Sequence, residues 1–570
     1  MAGRDLETDV VIVGAGPTGS AAAWRLAGAG LSVTVIDKGP AFDAAALDRT
    51  APDWDVRRQG IWSSNPNIRR GPFDDPVDDA QSAIKPMFAF GTGGTSTHWS
   101  AHVPRFRPED FRVRTLDGVG SDWPVGYDDL APYYELAEAR WGTAFVPGDP
   151  SAAPRQGRPQ PLPTIGAHGR RFAGVFDAMG WHWWPVDLVV GRTADRSDTV
   201  HCTHIGPCDL GCPSRLRSSA ERAFLDAAVE RGARVLTATR VTSIETDRAG
   251  KVSAVICRND GAAFRLRAGH VCLAGNGSST ARLLLLSAGG AAPGGLANRS
   301  GLVGRGLMLH PYAKVDALFD EPLGSWVSGE KAGLVSFQFL QTEPARGFVR
   351  GVKLQLVTGP APAALAEGAV VGRRLPWGAG HHAAFEARFD RICGFTVCAE
   401  DLPEDENRVT LSDSLHDRDG LPAAKWIYRV SDNSRRALDF GLDRAEEVLR
   451  AAGGGAVFRT PLRDQAGFHI MGTARMGDDP ETSVVNAFGQ CHDVPNLWVL
   501  DASVFVTASV ANPTLTAQAL ALRAADHLLA GKGAGLQTAR HRMSSRMQAT
   551  APPPTRSRKG GRASAQAGKA

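Results

Sequence analysis

The chain has 570 residues, 43% apolar and 22% charged, with eight cysteines. That is enough for about four domain-sized units or one large multilayer enzyme, and it excludes wholesale disorder and a disulfide-stapled scaffold. The net charge of +4 resides in the last forty residues, which hold nine Lys/Arg and no acidic residue; the body carries 55 basic against 60 acidic side chains. A nucleic-acid enzyme carries its basic stripe on folded surface, so no nucleic-acid partner is expected.

In chain order, Asp9–Val13 reads as a strand, followed by a glycine turn, a helix from Pro17 to about Ala27 and a strand over Ser32–Ile36. Residues 38–90 are rich in Asp, Pro and Gly and predict loop. A helix is predicted over Tyr127–Ala139, a Pro/Gly-rich excursion over 143–170 and a helix from Ser219 to about Arg231. Short β runs follow up to Thr246, then over Val252–Cys257 and Phe264–Arg267. Strand Val271–Ala274, turn Gly275–Gly277 and helix Ser279–Ser287 come next. Residues 312–460 alternate in runs such as Val335–Leu340, Val352–Val357 and Phe395–Ala399, predicting a separate, largely antiparallel sheet. The final ordered stretch has a strand at Leu497–Leu500 and a helix from about Pro513 to Leu529. The tail, 531–570, predicts a disordered basic segment. No apolar run is long enough for a membrane span, and the opening residues lack a secretory pattern, so a cytoplasmic address is the default expectation.

Gly14-x-Gly16-x-x-Gly19 joins the first strand to the first helix, and Asp37 ends the second strand. The first glycine makes a tight turn, the second admits a pyrophosphate to the backbone, and the third lets helix pack on strand. The helix N-terminus offers partial positive charge to phosphate, and an acid at Asp37 is placed to accept ribose hydroxyls. This pattern predicts dinucleotide binding without separating FAD from NAD.

Several later segments carry a resemblance: Phe468-His469-Ile470-Met471-Gly472-Thr473-Ala474-Arg475-Met476-Gly477, Ala511-Asn512-Pro513-Thr514-Leu515-Thr516, Gly91-Thr92-Gly93-Gly94-Thr95-Ser96, Trp123-Pro124 with Tyr127-Asp128-Asp129-Leu130, His310-Pro311, and Asn407-Arg408-Val409-Thr410-Leu411. With the N-terminal turn, these resemble the glucose–methanol–choline (GMC) family of FAD-dependent oxidoreductases over roughly residues 8–530. The resemblance implies an α/β fold with a discontinuous Rossmann-like FAD-binding domain and an antiparallel-sheet substrate-binding domain. The expected units are 8–311 for the FAD domain (with loop and cysteine-containing insertions at about 40–220), 312–460 for the substrate domain, and 461–530 for the return to the FAD domain.

The resemblance also implies the chemistry. FAD accepts hydride at N5 from a CH–OH group of a sugar, polyol or related alcohol, His469 is the base, and Asn512 is its partner. A neutral imidazole near its ordinary pKa of about 6.5 suits that role. Flavin contacts are expected from Gly94, Thr95, Ser96, Asp501, Ala502, Asn512 and Pro513. In Ser96-Thr97-His98-Trp99, His98 stands where pyranose 2-oxidases and choline oxidases of this family attach FAD covalently; the alternative is a histidine that only packs or hydrogen-bonds beside the flavin.

Cys202-x5-Cys208-x3-Cys212-Pro213 resembles the 3Fe-4S loop of bacterial FAD-dependent sugar dehydrogenase large subunits. Zinc held with His204, or bare thiols, are the alternatives at this loop. The cluster reading implies a dehydrogenase with a small subunit and a cytochrome acceptor, and a periplasmic or membrane-associated address through an exported partner. His98 leans instead to an oxidase that makes hydrogen peroxide, and a flavin-containing lyase is the remoter reading. Trp181, Trp183 and Trp184 offer a sugar-stacking platform, with core packing as the commoner use of such a cluster.

Overall fold

The computed structural model describes residues 6–43, 63–156, 165–189, 211–212, 217–290, 292–326, 333–366, 368 and 375–531. At its centre lies the strand Leu6–Val13, whose Val10, Val11 and Ile12 are fully buried because a parallel sheet is covered on both faces. Val33–Ile36 and then Arg234–Leu236 lie parallel on one side of it, and Ala262–Leu273 lies parallel on the other. That last strand changes partners along its length. Its first half pairs antiparallel with Val252–Asn259, itself paired with Arg240–Thr246, while Val271–Leu273 pairs parallel with Leu497–Val499. The two runs predicted as Phe264–Arg267 and Val271–Ala274 are therefore one continuous strand.

Helices Pro17–Gly28 and Thr514–Gly531 pack against one another, so the chain's first and last described helices close one core. Tyr127–Trp141 packs on the second of them, with Tyr134 Oη and Trp141 Nε1 bonded to Thr516 and Gln518. The helix predicted from Ser219 opens with a π-helical turn, Glu221–Leu225, before continuing as Asp226–Glu230.

The second sheet is antiparallel and six-stranded: Val457–Thr460, Tyr312–Leu318, Ile392–Ala399, Val352–Val357, Leu334–Phe339 and Trp184–Pro185. Ala313, Val315, Leu354, Phe395 and Val397 on one face meet Leu438, Leu442, Ala445 and Leu449 of the helix Asp432–Ala451. Sequence reading did not assign that helix. Its signals are Ser431, whose side chain caps the Ser434 N–H, and apolar residues three or four apart.

Residues 38–90 are not all loop. Val77–Ser82 forms a strand parallel to Pro422–Tyr428, which pairs with Arg408–His416. Its sequence, VDDAQS, has too few apolar residues to signal a strand, and the pairing is supplied from over 340 positions away. Val77, Val409 and Trp426 join the first core, although the last two fall between 312 and 460. No described helix is long and apolar enough to cross a membrane.

Candidate active site

The glycine turn is built as its spacing requires. Gly14 has φ +112, and a Cβ there would lie 2.4 Å from the Ala274 carbonyl oxygen; one on Gly19 would lie 2.0 Å from the Gly14 oxygen. At Gly16 a Cβ would meet no atom within 4 Å and would project into the space a ligand fills. Gly16 caps the helix and Pro17 follows at its first position, so the free N–H groups of the first turn face a cavity lined by Gly14, Gly16, Asp37, Gly94, Thr95 and His469 among others. These features fit the pyrophosphate of FAD.

Asp37 lines the cavity, but its carboxylate already accepts three backbone N–H groups: Ala15 at 2.9 Å, Gly39 at 2.8 Å and Gly91 at 2.9 Å. Burial pushes its pKa up and these amides oppose the rise. The residue therefore clasps the glycine turn to the Gly91–Ser96 loop. Asp501 repeats the device. It accepts from Thr280 Oγ1 at 2.6 Å, Asn276 N–H at 3.1 Å and Ser503 N–H at 2.9 Å, and Ala502, Pro513 and Thr514 beside it line the cavity.

The Gly91–Ser96 loop lies directly on the turn: Gly93 N–H donates to Ala15 O, and a Cβ on Gly94 would lie 3.1 Å from Gly16 Cα. Ser96 is buried and structural, donating to Gly93 O and accepting from Ala220 N–H. His98 is half-buried and does not line the cavity; Thr97 Oγ1 donates to Gly94 O, so the hydrogen in its 2.7 Å contact with His98 comes from Nδ1. None of Trp181, Trp183 and Trp184 lines the cavity. Trp181 packs on Phe339, and the other two indoles donate to Asp177 and Val146 O.

The other end of the cavity is set by two antiparallel-running segments. Met308 and Met471 exchange backbone bonds, and a Cβ on Gly472 would lie 1.9 Å from Gly306 O, so only glycine permits their approach. This brings His310 against His469, with their Nδ1 atoms 2.9 Å apart. His310 Nε2 lies 2.6 Å from Ser509 O, a group that can only accept, so Nε2 carries the hydrogen. Burial pushes the His310 pKa down to about 3, so the ring is neutral and its Nδ1 must accept. His469 therefore donates from Nδ1, and its Nε2 lone pair is left facing Asn512 Nδ2 at 3.5 Å. Burial, together with the charges around it, holds His469 well below its ordinary pKa. The expectation of a pKa near 6.5 is thus corrected: burial lowers it and favours the neutral ring.

Lys353 completes the group. It is fully buried and donates to Asn512 Oδ1 at 2.7 Å. Sequence reading picked His469 and Asn512 but neither Lys353 nor His310 as a site residue. The Lys-Leu-Gln alternation of its strand was the available signal for Lys353. Cys202, Cys208 and His204 lie outside the described residues; Cys212 is described and half-buried. Among the described residues no group of three or more His, Cys, Asp or Glu side chains is arranged to hold a metal.

Family models for the N- and C-terminal parts of GMC oxidoreductases match residues 190–312 and 403–521, and one for FAD-dependent oxidoreductases matches 9–61. The 2-methyl-1,2-propanediol dehydrogenase of Mycolicibacterium austroafricanum is 35% identical over 92% of this chain and 95% of its own. The chain belongs to the GMC oxidoreductase family. Another GMC relative, the fructose dehydrogenase large subunit of Gluconobacter japonicus, is 30% identical over 93% of this chain and 99% of that one. The fold is also that of the pyridoxine 4-oxidase from Mesorbium loti, with a TM-score of 0.62 at 17% identity, covering 91% of this chain and 99% of that one. This GMC oxidoreductase is an FAD-dependent enzyme acting on CH–OH donors.

Proposed function

We propose that the enzyme oxidises a CH–OH group of a small polyol, sugar or related alcohol and passes the electrons to an external acceptor. The observation that carries this reading is the hydrogen-bond chain from Ser509 O through His310 to His469, which leaves a neutral Nε2 lone pair, beside Asn512, on a ring that lines the cavity. FAD, held by the Gly14–Gly19 turn and the Gly91–Ser96 loop, supplies the two-electron acceptor. A substrate hydroxyl between His469 and Asn512 gives its proton to Nε2, while the Asn512 N–H supports the oxygen as charge grows on it. Burial of both residues excludes the water that would compete for that proton.

The polar sheet face beside this pair supports the substrate class. Lys353 and Gln355 stand in register with Cys398 and Thr396, which stand in register with Tyr312 and Lys314. A face with an amide, two hydroxyls, a thiol and two ammonium groups, one of them paired with Asp316, suits a ligand carrying several hydroxyls better than an apolar alcohol. The likeness to a diol dehydrogenase and a fructose dehydrogenase large subunit supports the same class and favours dehydrogenase over oxidase.

In this reading Cys202, Cys208 and Cys212 would hold a 3Fe-4S cluster, which would supply electron transfer toward a small subunit and a cytochrome; a covalent link from His98 to FAD belongs to the oxidase alternative. Both rest on spacing and resemblance. The test is anaerobic mixing of the FAD-loaded protein with 2-methyl-1,2-propanediol or fructose, followed by dye or oxygen. Bleaching of the flavin with faster reoxidation by dye is expected, with iron and sulfide present. Rapid peroxide formation with no iron would promote the oxidase, and a flavin left oxidised by every alcohol would overturn the reading.

A further inference from the structure

A lysine is rarely buried unless a counter-charge accompanies it. Lys353 is fully buried, and among the described residues no carboxylate pairs with it. Strand alternation explains its direction: Val352, Leu354 and Leu356 enter the core under the helix Asp432–Ala451, which turns Lys353 and Gln355 to the opposite face. There its Nζ meets Asn512 Oδ1 at 2.7 Å. An ammonium group has donors only, so the Asn512 carbonyl must face it and the Asn512 NH2 must face His469 Nε2, 3.5 Å away.

We propose that Lys353 is a positioning residue for alcohol oxidation: its bond to Asn512 Oδ1 turns the Asn512 N–H toward the substrate oxygen and lends positive charge to the alkoxide forming there. The inference rests on the alcohol-oxidation reading above. His310 fixes the tautomer of the base, and Lys353 fixes the amide opposite it. A bond to an ionised donor polarises the amide, so its N–H becomes the stronger donor toward developing negative charge.

The charge state gives a readout that a packing role would not. Burial lowers the Lys353 pKa to about 8. The charged or titratable groups facing it are Cys398 on the neighbouring strand, Arg107 and His102 from the loops above, and His310 and His469. Below about pH 8 the ammonium is present; as pH rises through that value it is lost, and the rate of flavin reduction falls with it. His469 is held down partly by this charge, so removing Lys353 also moves the acid limb upward.

The experiment compares wild type, Lys353→Met, Lys353→Gln, Asn512→Ala and the Lys353→Met/Asn512→Ala double variant, all as FAD-loaded protein reduced by 2-methyl-1,2-propanediol or fructose under anaerobic stopped flow. Lys353→Met is expected to lose roughly 10- to 100-fold in the saturating reduction rate with a much smaller change in KM. Lys353→Gln keeps a donor to Asn512 and recovers part of the loss, but neither variant shows the limb near pH 8. The double variant is no slower than Asn512→Ala. Independently of turnover, a 13C-labelled lysine resonance should titrate near pH 8 and vanish in Lys353→Gln. Wild-type rates in Lys353→Gln with the alkaline limb intact, or losses that add to those of Asn512→Ala, would overturn this proposal alone. Wild-type flavin reduced by neither alcohol would overturn the alcohol-oxidation reading and this proposal with it.

Discussion

His469 has one bond donor to spend and spends it on His310, so its other nitrogen is left with a lone pair, as the proposed base requires. Replacing His310 by Ala removes the acceptor, leaves a buried N–H unsatisfied and frees the ring to take the wrong tautomer. A loss of roughly tenfold or more in the flavin reduction rate is expected, with FAD content unchanged by absorbance. The lowered pKa of His469 sets the pH profile: the base is neutral above its folded pKa, so no rising limb from it belongs near 6.5. Reduction rates measured from pH 6 to 7 should be flat; a rise centred near 6.5 would put the imidazole in water. At the cofactor end, Gly16→Val fills the space that the pyrophosphate needs, and the purified variant should lack flavin absorbance. His469, Asn512 and the three glycines were legible because their motifs are contiguous. His310 and Lys353 each lie 159 positions from the partner they hold, and single residues at that separation leave no pattern. Asp37 and Asp501 were legible as cavity residues, but not as clasps, since their amide partners lie on other loops.

Among the elements, those with their own periodicity and caps were readable: Pro17–Gly28, Tyr127–Trp141, Val352–Val357 and Thr514–Gly531 fall within a few residues of expectation. Val77–Ser82 was not, because its pairing with Pro422–Tyr428 makes it a strand rather than its composition. The helix Asp432–Ala451 was hidden by the alternating runs around it, yet it supports the sheet that carries Lys353. Its Gly441 gives a prediction whose sign reverses the usual one. A helical Gly→Ala change ordinarily stabilises by roughly 0.5–1 kcal/mol. Here the added Cβ would stand 2.4 Å from Val397 Cγ1, so helix and sheet must separate. Gly441→Ala should lower stability by roughly 1–3 kcal/mol in thermal or denaturant unfolding, as overpacking does; an unchanged or raised midpoint would show that the interface yields freely.

At the scale of the molecule, the cavity is assembled from segments that begin with residue 13 and end with residue 517, so the site exists only once both ends of the chain have folded together. That discontinuity was expected from the ordered motifs and is realised in a sheet joining Leu6–Val13, Ala262–Leu273 and Leu497–Val499. The antiparallel sheet meets this unit where Lys353 meets Asn512 and where Tyr312 packs on His469. In the proposed reading one unit holds the cofactor and the other completes the proton-handling group. The central claim is that His469 takes the substrate's hydroxyl proton. The direct test is the anaerobic stopped-flow rate at which saturating 2-methyl-1,2-propanediol or fructose reduces the flavin of His469→Ala against wild type at pH 7. The account predicts full FAD occupancy in both and a rate lower by roughly 100-fold or more in the variant. A flavin that bleaches at the wild-type rate without His469 would contradict it.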